Sequence, residues 1–334
     1  MKILKDGKKR RLMILGKIIF EWEKLEFSSK YTTLNFHNKY VLGKLTKSRP
    51  KRQKIKLEYL KKYLYAADIE SQIKISRDPN LPIWQLWMKG NNSEIPSIVK
   101  ACLESVKREN PDKKIILLTE ENIKNYVDFP EYIWKKYEAG LITKTHFSDL
   151  VRFYLLYRYG GIWCDATIYM TDKIPDFIEN SDFFVFKDLI SSRITETTTL
   201  DDFIILCNKL NIGTWTNAVS FIRAEAGNRI IEENLKLMLE YWKHENTMYD
   251  YLLVSYFLTL VIFNNINNKI NFIKAPYNIT TVEYGVLQNC LFEKFDNSLF
   301  EQIKKITSIH KLTYKDTDKN VLIDSFYNHL VTHK

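Results

Sequence analysis

The chain has 334 residues, 45% of them hydrophobic, with only 10 Gly and 8 Pro, which excludes collagen-like and low-complexity architectures and allows a sizeable core. Its net charge of +10 is concentrated: residues 1–62 hold 19 Lys/Arg against 5 Asp/Glu, a local +14, while the remainder is mildly acidic. The four cysteines, Cys102, Cys164, Cys207 and Cys290, are far apart with no Cys-x-x-Cys spacing, which argues against a zinc or disulfide scaffold and makes a reducing cytosol the default.

No signal peptide is visible at the N-terminus. Over residues 11–27, Leu12, Leu15, Ile18, Ile19, Trp22 and Leu25 recur near every 3.6 positions, which predicts an amphipathic helix behind the basic cluster Lys8-Lys9-Arg10-Arg11. Such a helix either packs on the main domain or attaches to an anionic membrane surface through basic charge plus Trp and Phe. Nucleic-acid binding is set aside, because no recognition motif accompanies the charge. A polar, basic connection over 35–56 leads to a second predicted helix over 55–76. Residues 1–80 are thus expected to form a basic, mainly helical extension, and residues 81–334 the main domain.

In that domain, Ile83-Trp84-Gln85-Leu86-Trp87-Met88, closed by Gly90, reads as a strand. After Asn91-Asn92-Ser93 comes a helix with Pro96 in its first turn and an apolar stripe at Ile95, Ile98, Val99, Cys102, Leu103 and Val106. Residues 115–118 read as a buried strand, with Thr119 capping a helix that opens on Glu120 and Glu121. This alternation predicts parallel strands with helices on their faces. Helices follow over 130–138 and 146–159, separated by a break at Gly140 and stopped by Gly160. Residues 162–164 form a third strand, and Asp165 falls at its carboxyl end, the edge where open α/β sheets bind ligands. Beyond it come a strand over 183–186, a Ser/Thr-rich lid loop over 191–199, an extended segment over 217–222, and helices over 226–243 and 249–263. The last of these contains the longest uncharged apolar stretch, 251–263, too short for the ~20 residues of a membrane span. An Asn-rich turn over 264–271 precedes a tail segment, 306–314, containing His310-Lys311-Leu312-Thr313.

The helix over 146–159 carries an informative pair. Phe147, Leu150, Val151, Tyr154 and Leu155 form one apolar face, and Asp149 and Arg152 point the other way. On a wet surface that pair is an ordinary salt bridge. Leu156 shares its azimuth, however, and Phe153 flanks it, so the charges read as lining a cleft. Asp165, after three apolar strand residues, is either a turn aspartate or a ligand for Mg²⁺ or Mn²⁺, hard cations that prefer oxygen and bridge phosphates.

His146-Phe147-Ser148-Asp149-Leu150-Val151-Arg152, Leu155-Leu156-Tyr157 and Tyr159-Gly160-Gly161-Ile162-Trp163-Cys164-Asp165-Ala166-Thr167 together resemble the capsular polysaccharide synthesis proteins, a branch of the glycosyltransferase family 32 type with a DxD sugar-binding region. Pro82-Ile83-Trp84-Gln85-Leu86-Trp87 is similar to the opening strand of that family. The resemblance implies a GT-A type, Rossmann-like mixed α/β sheet flanked by helices, a nucleotide-sugar donor and Mn²⁺ or Mg²⁺. It implies that Asp165 binds metal and diphosphate, that Asp149 and Arg152 hold donor-sugar hydroxyls and ribose, and that Trp87 stacks on uracil. Thr167 stands where the wider family has a second acid, so the implied metal set of Asp165, Thr167 and His310 is one carboxylate short. His310 and Lys311 resemble the late His-Lys-Leu segment of the family, which implies contact with metal or phosphates. Asp250 and Asn217 are weaker candidates for the acceptor side. The implied activity is transfer of a hexose, galactose or glucose, from a UDP-sugar to a lipid-linked oligosaccharide, with retention, by a cytoplasmic protein peripheral to the inner membrane face. A non-catalytic nucleotide-sugar-binding or scaffold protein of the same fold is the alternative.

Overall fold

The computed structural model describes residues 2–6, 9–14, 17–23, 49–64, 73–76, 81–88, 94–187, 194–195, 197–210, 217–264, 281–315 and 323–332. By their contacts they divide into two units, Met1–Lys47 and Ser48–Lys334.

The smaller unit contains β1 (Lys2–Asp6), β2 (Lys9–Ile14) and β3 (Lys17–Glu23), paired antiparallel in that order. The described residues of the helix expected over 11–27 are therefore strand. The run Ile18, Ile19, Phe20 and Trp22 is β-branched and aromatic, which suits a pleated strand better than a helix. Gly7 and Gly16 are, in the sequence, a hairpin signal that the helical spacing obscured. Gly7, Lys8, Leu15, Gly16 and residues 24–48, with part of the expected helix and most of the expected basic connection, lie outside the described residues.

In the larger unit, α1 (Arg49–Leu60) and a 3₁₀ turn, Lys61–Tyr63, take the place of the helix expected over 55–76, and residues 73–76 are non-helical. Residues 65–72 lie outside the described residues. Leu57, Leu60 and Tyr63 are buried in the main core, so α1 belongs with that unit rather than with the basic arm.

The central sheet has the order β5 (Ile115–Leu118), β4 (Ile83–Leu86), β6 (Gly161–Cys164), β9 (Asn217–Ala224), β8 (Phe183–Lys187). The first three strands are parallel as expected, whereas β9 runs antiparallel to both β6 and β8, so the sheet is mixed. A second pairing joins β7 (Ile168–Met170) to β10 (Ile309–Lys311), antiparallel, with Lys311 opposite Ile168 and His310 opposite Tyr169. This small ribbon brings the end of the chain back to the carboxyl edge of β6.

Helices α2 (Ser97–Glu109), α3 (Glu131–Glu138) and α4 (Lys144–Tyr159) follow β4 and β5. The helix expected after Thr119 is replaced by a turn: the Asn122 side chain accepts the Thr119 N–H at 2.9 Å, a local bond that competes with helix initiation, and only the 3₁₀ turn Ile123–Asn125 follows. Later helices are α5 (Asp176–Glu179), α6 (Leu200–Leu210), α7 (Arg229–His244), α8 (Leu253–Asn264), α9 (Thr281–Tyr284), α10 (Val286–Cys290), α11 (Asn297–Ile306) and α12 (Phe326–Thr332). α8 is buried from Leu253 to Ile262, as its unbroken apolar run requires. Among the described residues no helix is long and apolar enough to cross a membrane. Gly90 to Ser93, residues 191–193 and 196 of the expected lid, and the Asn-rich turn after Asn264 lie outside the described residues.

Candidate functional site

α4 begins at Thr143, whose hydroxyl accepts the His146 N–H, and ends at Gly160 with φ +67°. The two glycines that follow the helix are steric requirements. A Cβ on Gly160 would stand 2.6 Å from the Ala226 nitrogen, and one on Gly161 would run into the Pro82 carbonyl oxygen. The tight exit carries the chain directly into β6, so α4 and Asp165 meet within a few residues.

The acid–base pair in the middle of α4 is buried, Asp149 and Arg152 each being 5% exposed. Arg152 donates to Asp149 Oδ1 at 2.9 Å and, through its other terminal nitrogen, to Asp165 Oδ1 at 3.1 Å. The guanidinium lies 4.9 Å from the centre of the Trp163 ring, and the Trp163 indole N–H donates to Asp165 Oδ1 at 2.7 Å. From β10, the Lys311 ammonium donates to Asp165 Oδ2 at 2.8 Å and to Thr167 Oγ1 at 2.5 Å. The backbone fixes the turn between these groups, since Asp165 N–H donates to Ser220 O and Ile168 N–H to Asp165 O.

Burial alone opposes ionisation of Asp165, but Lys311, Arg152 and the Trp163 N–H together hold its carboxyl below the usual aspartate range. Asp149 goes the other way. Burial pushes it up to about 7 against the opposing pull of Arg152, and the negative charge of Asp165 adds to the rise.

The structure therefore gathers Asp149, Arg152, Asp165, Thr167 and Lys311, which are dispersed over 163 positions of sequence, at one edge of the sheet. Trp87 lies just past β4, its backbone N–H bonded to Leu118 O and its ring edge-on to Tyr314 at 5.4 Å, among the described contacts apart from Asp165. His310 is fully buried and its Nε2 pairs with Thr171 at 3.1 Å. Alternation along β10 sends it to the face opposite Lys311, and burial pushes its imidazole down to about 4. The metal-ligand role expected for His310 is thus not supported by its placement. Asp250 pairs with Lys56 and accepts the Leu252 N–H, a structural set of contacts, and the side chain of Asn217 lies outside the described residues.

Trp163 was legible only as a strand residue; its position two before Asp165, on the same face of a strand, is the signal that would have placed its N–H on the carboxylate. Tyr284, bonded to Ser220 at 2.8 Å behind the Asp165 turn, had no signal in the sequence.

The divalent cation implied by the family resemblance does not fit this donor set. Both oxygens of Asp165 already accept from fixed cations, Asp149 is tied to Arg152, Thr167 is neutral, and an ammonium stands between Asp165 and Thr167. Among the described residues no group of three or more His, Cys, Asp or Glu gathers to hold a metal.

Comparison with known proteins finds a family match, a curated relative and, among solved structures, a glycosyltransferase. The capsular polysaccharide synthesis protein family matches residues 38–330. An O-glycosyltransferase, braB, of Annulohypoxylon truncatum is 26% identical over 185 residues, covering 53% of this chain and 41% of the relative, so the chain spans less than half the length of that curated protein. The solved PaToxG glycosyltransferase aligns with 85% of this chain and 97% of its own, at 13% identity and a TM-score of 0.37. Because the family match runs unbroken through both contributors to the site, from α4 to β10, this chain belongs to the capsular polysaccharide synthesis protein family.

Proposed function

We propose that the protein is a glycosyltransferase of capsular polysaccharide synthesis that moves a hexose, galactose or glucose, from a UDP-sugar to a lipid-linked saccharide. The observation that carries the reading is the partly exposed Asp165, held by Arg152, Lys311 and Trp163 at the carboxyl edge of β6. A departing nucleoside diphosphate develops negative charge, and the fixed cations around Asp165 are placed to oppose it. Asp149 and Arg152 hold sugar and ribose hydroxyls, and Trp87, with Tyr314 beside it, offers a flat surface to the base. Both carboxylates of the cluster are tied to cations, which suits positioning rather than nucleophilic attack, so transfer with retention would proceed without a covalent intermediate. In that reaction the bond from C1 to the β-phosphate oxygen breaks with its electron pair on the phosphate, the acceptor hydroxyl oxygen bonds to C1, and its proton leaves with the diphosphate.

The acceptor half of the reading rests on the +14 charge of residues 1–62, which suits attachment to an anionic inner membrane face from the cytoplasm. Incubation with a panel of nucleotide sugars, following release of the nucleoside diphosphate, tests the donor half. Asp165→Asn is expected to lower release about 100-fold. Absence of any donor binding, with wild type and Asp165→Asn alike, would leave a non-catalytic scaffold of the same fold.

A further inference from the structure

The Asp-x-Thr turn at Asp165 is closed by a side chain of the protein itself. Lys311 Nζ bridges Asp165 Oδ2 and Thr167 Oγ1 at 2.8 and 2.5 Å, the position between the two side chains where a bridging divalent ion would have to sit. Its backbone is pinned on three sides. Ile309 and His310 before it are fully buried, Leu312 after it is 2% exposed and donates its N–H to Thr167 O at 2.9 Å, and Lys311 itself is paired with Ile168. The placement of the ammonium therefore follows from sheet register and not from a free surface side chain.

The electrostatics agree. Asp149 and Asp165 face Arg152 and Lys311, so the fully ionised cluster is neutral and offers a divalent ion no net attraction. Of the three N–H donors of the ammonium, two are committed to Asp165 and Thr167, leaving one for a phosphate oxygen. The side chains of Lys311 and Asp165 are 34% and 23% exposed, so this donor is reachable from solvent. A lysine in this role is also consistent with the neutral residue at position 167: a second carboxylate there would need a second cation, whereas a hydroxyl needs only a donor.

We propose that Lys311, assisted by Arg152, takes the place of a divalent metal, and that the protein binds nucleoside diphosphates and releases them from nucleotide sugars without a metal ion. This rests on the nucleotide-sugar reading above. Lys311 supplies a point charge to the diphosphate, and Thr167 and Asp165 hold that charge in position.

The full-length protein, stripped of metal with EDTA, is titrated calorimetrically with UDP, GDP, CDP and ADP, then again with Mn²⁺ present. One nucleotide is expected to bind with the same affinity, within about twofold, in both conditions. Lys311→Met is expected to weaken it about 100-fold, and Lys311→Arg, which keeps the charge, to recover most of that loss. The double variant Thr167→Asp/Lys311→Ala, which exchanges the ammonium for a second carboxylate, is expected to bind the nucleotide only with Mn²⁺. Should EDTA abolish binding to the wild type and Mn²⁺ restore it, the proposal is overturned while the nucleotide-sugar reading stands. Binding of no nucleotide in either condition overturns both. Equal affinity of Lys311→Met and wild type in EDTA removes the assigned role of Lys311 alone.

Discussion

Asp165 is held by three donors of different kinds, and they are not interchangeable. The ammonium and guanidinium set its charge, whereas the neutral indole N–H of Trp163 sets its orientation at 2.7 Å. Trp163→Phe keeps most of the ring beneath Arg152 and deletes only that donor. It is expected to lower kcat/KM for the nucleotide sugar about tenfold, the size of one hydrogen bond to a charged group; an unchanged kcat/KM would show that Asp165 needs no such support. Two histidines carry a separate consequence. Burial lowers the pKa of both His146 and His310, the latter to about 4, from the 6.5 of an exposed imidazole. As pH falls below 6.5 each of these imidazoles binds its proton more readily in the unfolded than in the folded chain, so the stability it contributes above pH 6.5 is lost on acidification, for His310 progressively toward pH 4. For His310 alone the loss is at most about 3 kcal/mol. Asp149, raised to about 7, contributes stability of the opposite sign over the same range, so the histidine part is read as a difference. As pH falls from 7.5 to 5 the stability of His310→Asn relative to wild type, measured as Tm, should rise, and a difference that does not change with pH contradicts the assignment.

At the scale of elements, the passage from α4 to β6 is the most constrained segment. Gly161 has φ +100° and no room for a methyl group beside Pro82, whereas Gly140, at φ +72°, has nothing within 4 Å of its absent Cβ. Gly161→Ala is therefore expected to cost about 3 kcal/mol in urea unfolding, and Gly140→Ala about 1 kcal/mol, from backbone strain without a clash. Equal costs would mean that conformation alone, and not the approach of Pro82, dictates the glycine. The start of α4 was legible only to within two residues, because its cap is the Thr143 hydroxyl, and the periodic apolar signal begins later, at Phe147. β1 to β3 were misread for a related reason. Over a short run, Ile18, Ile19 and Trp22 satisfy a helical spacing as well as a strand, and propensity rather than period should have decided.

For the whole molecule, the division between Lys47 and Ser48 separates the basic arm from the unit that contains the site. Leu57 and Leu60 are fully buried in the main core, so a cut after residue 62 removes two core anchors worth roughly 5 kcal/mol together, comparable to the stability of an entire domain. A chain of residues 48–334 is expected to unfold cooperatively and bind nucleotide as the full protein does, while one of residues 63–334 is not. On the membrane reading, residues 48–334 should also fail to sediment with anionic vesicles that capture the full chain. Retained vesicle binding would place the contact elsewhere.

The sequence by itself determined the parallel core of β4, β5 and β6, the glycine stop, the burial of α8, and the pairing of Asp149 with Arg152 near Asp165. Each of these is local: an apolar period, a residue able to take positive φ, or two charges one helical turn apart. Only the tertiary structure decided the reversal of β9, the departure of His310 from the site and the arrival of Lys311 in it. Adjacent positions in β10 point to opposite faces, and which face meets Asp165 depends on register with Ile168, more than 140 residues earlier in the chain. No local pattern encodes that choice. It kept the ammonium expected from Lys311 beside Asp165 and turned His310, expected as a metal ligand, away from it.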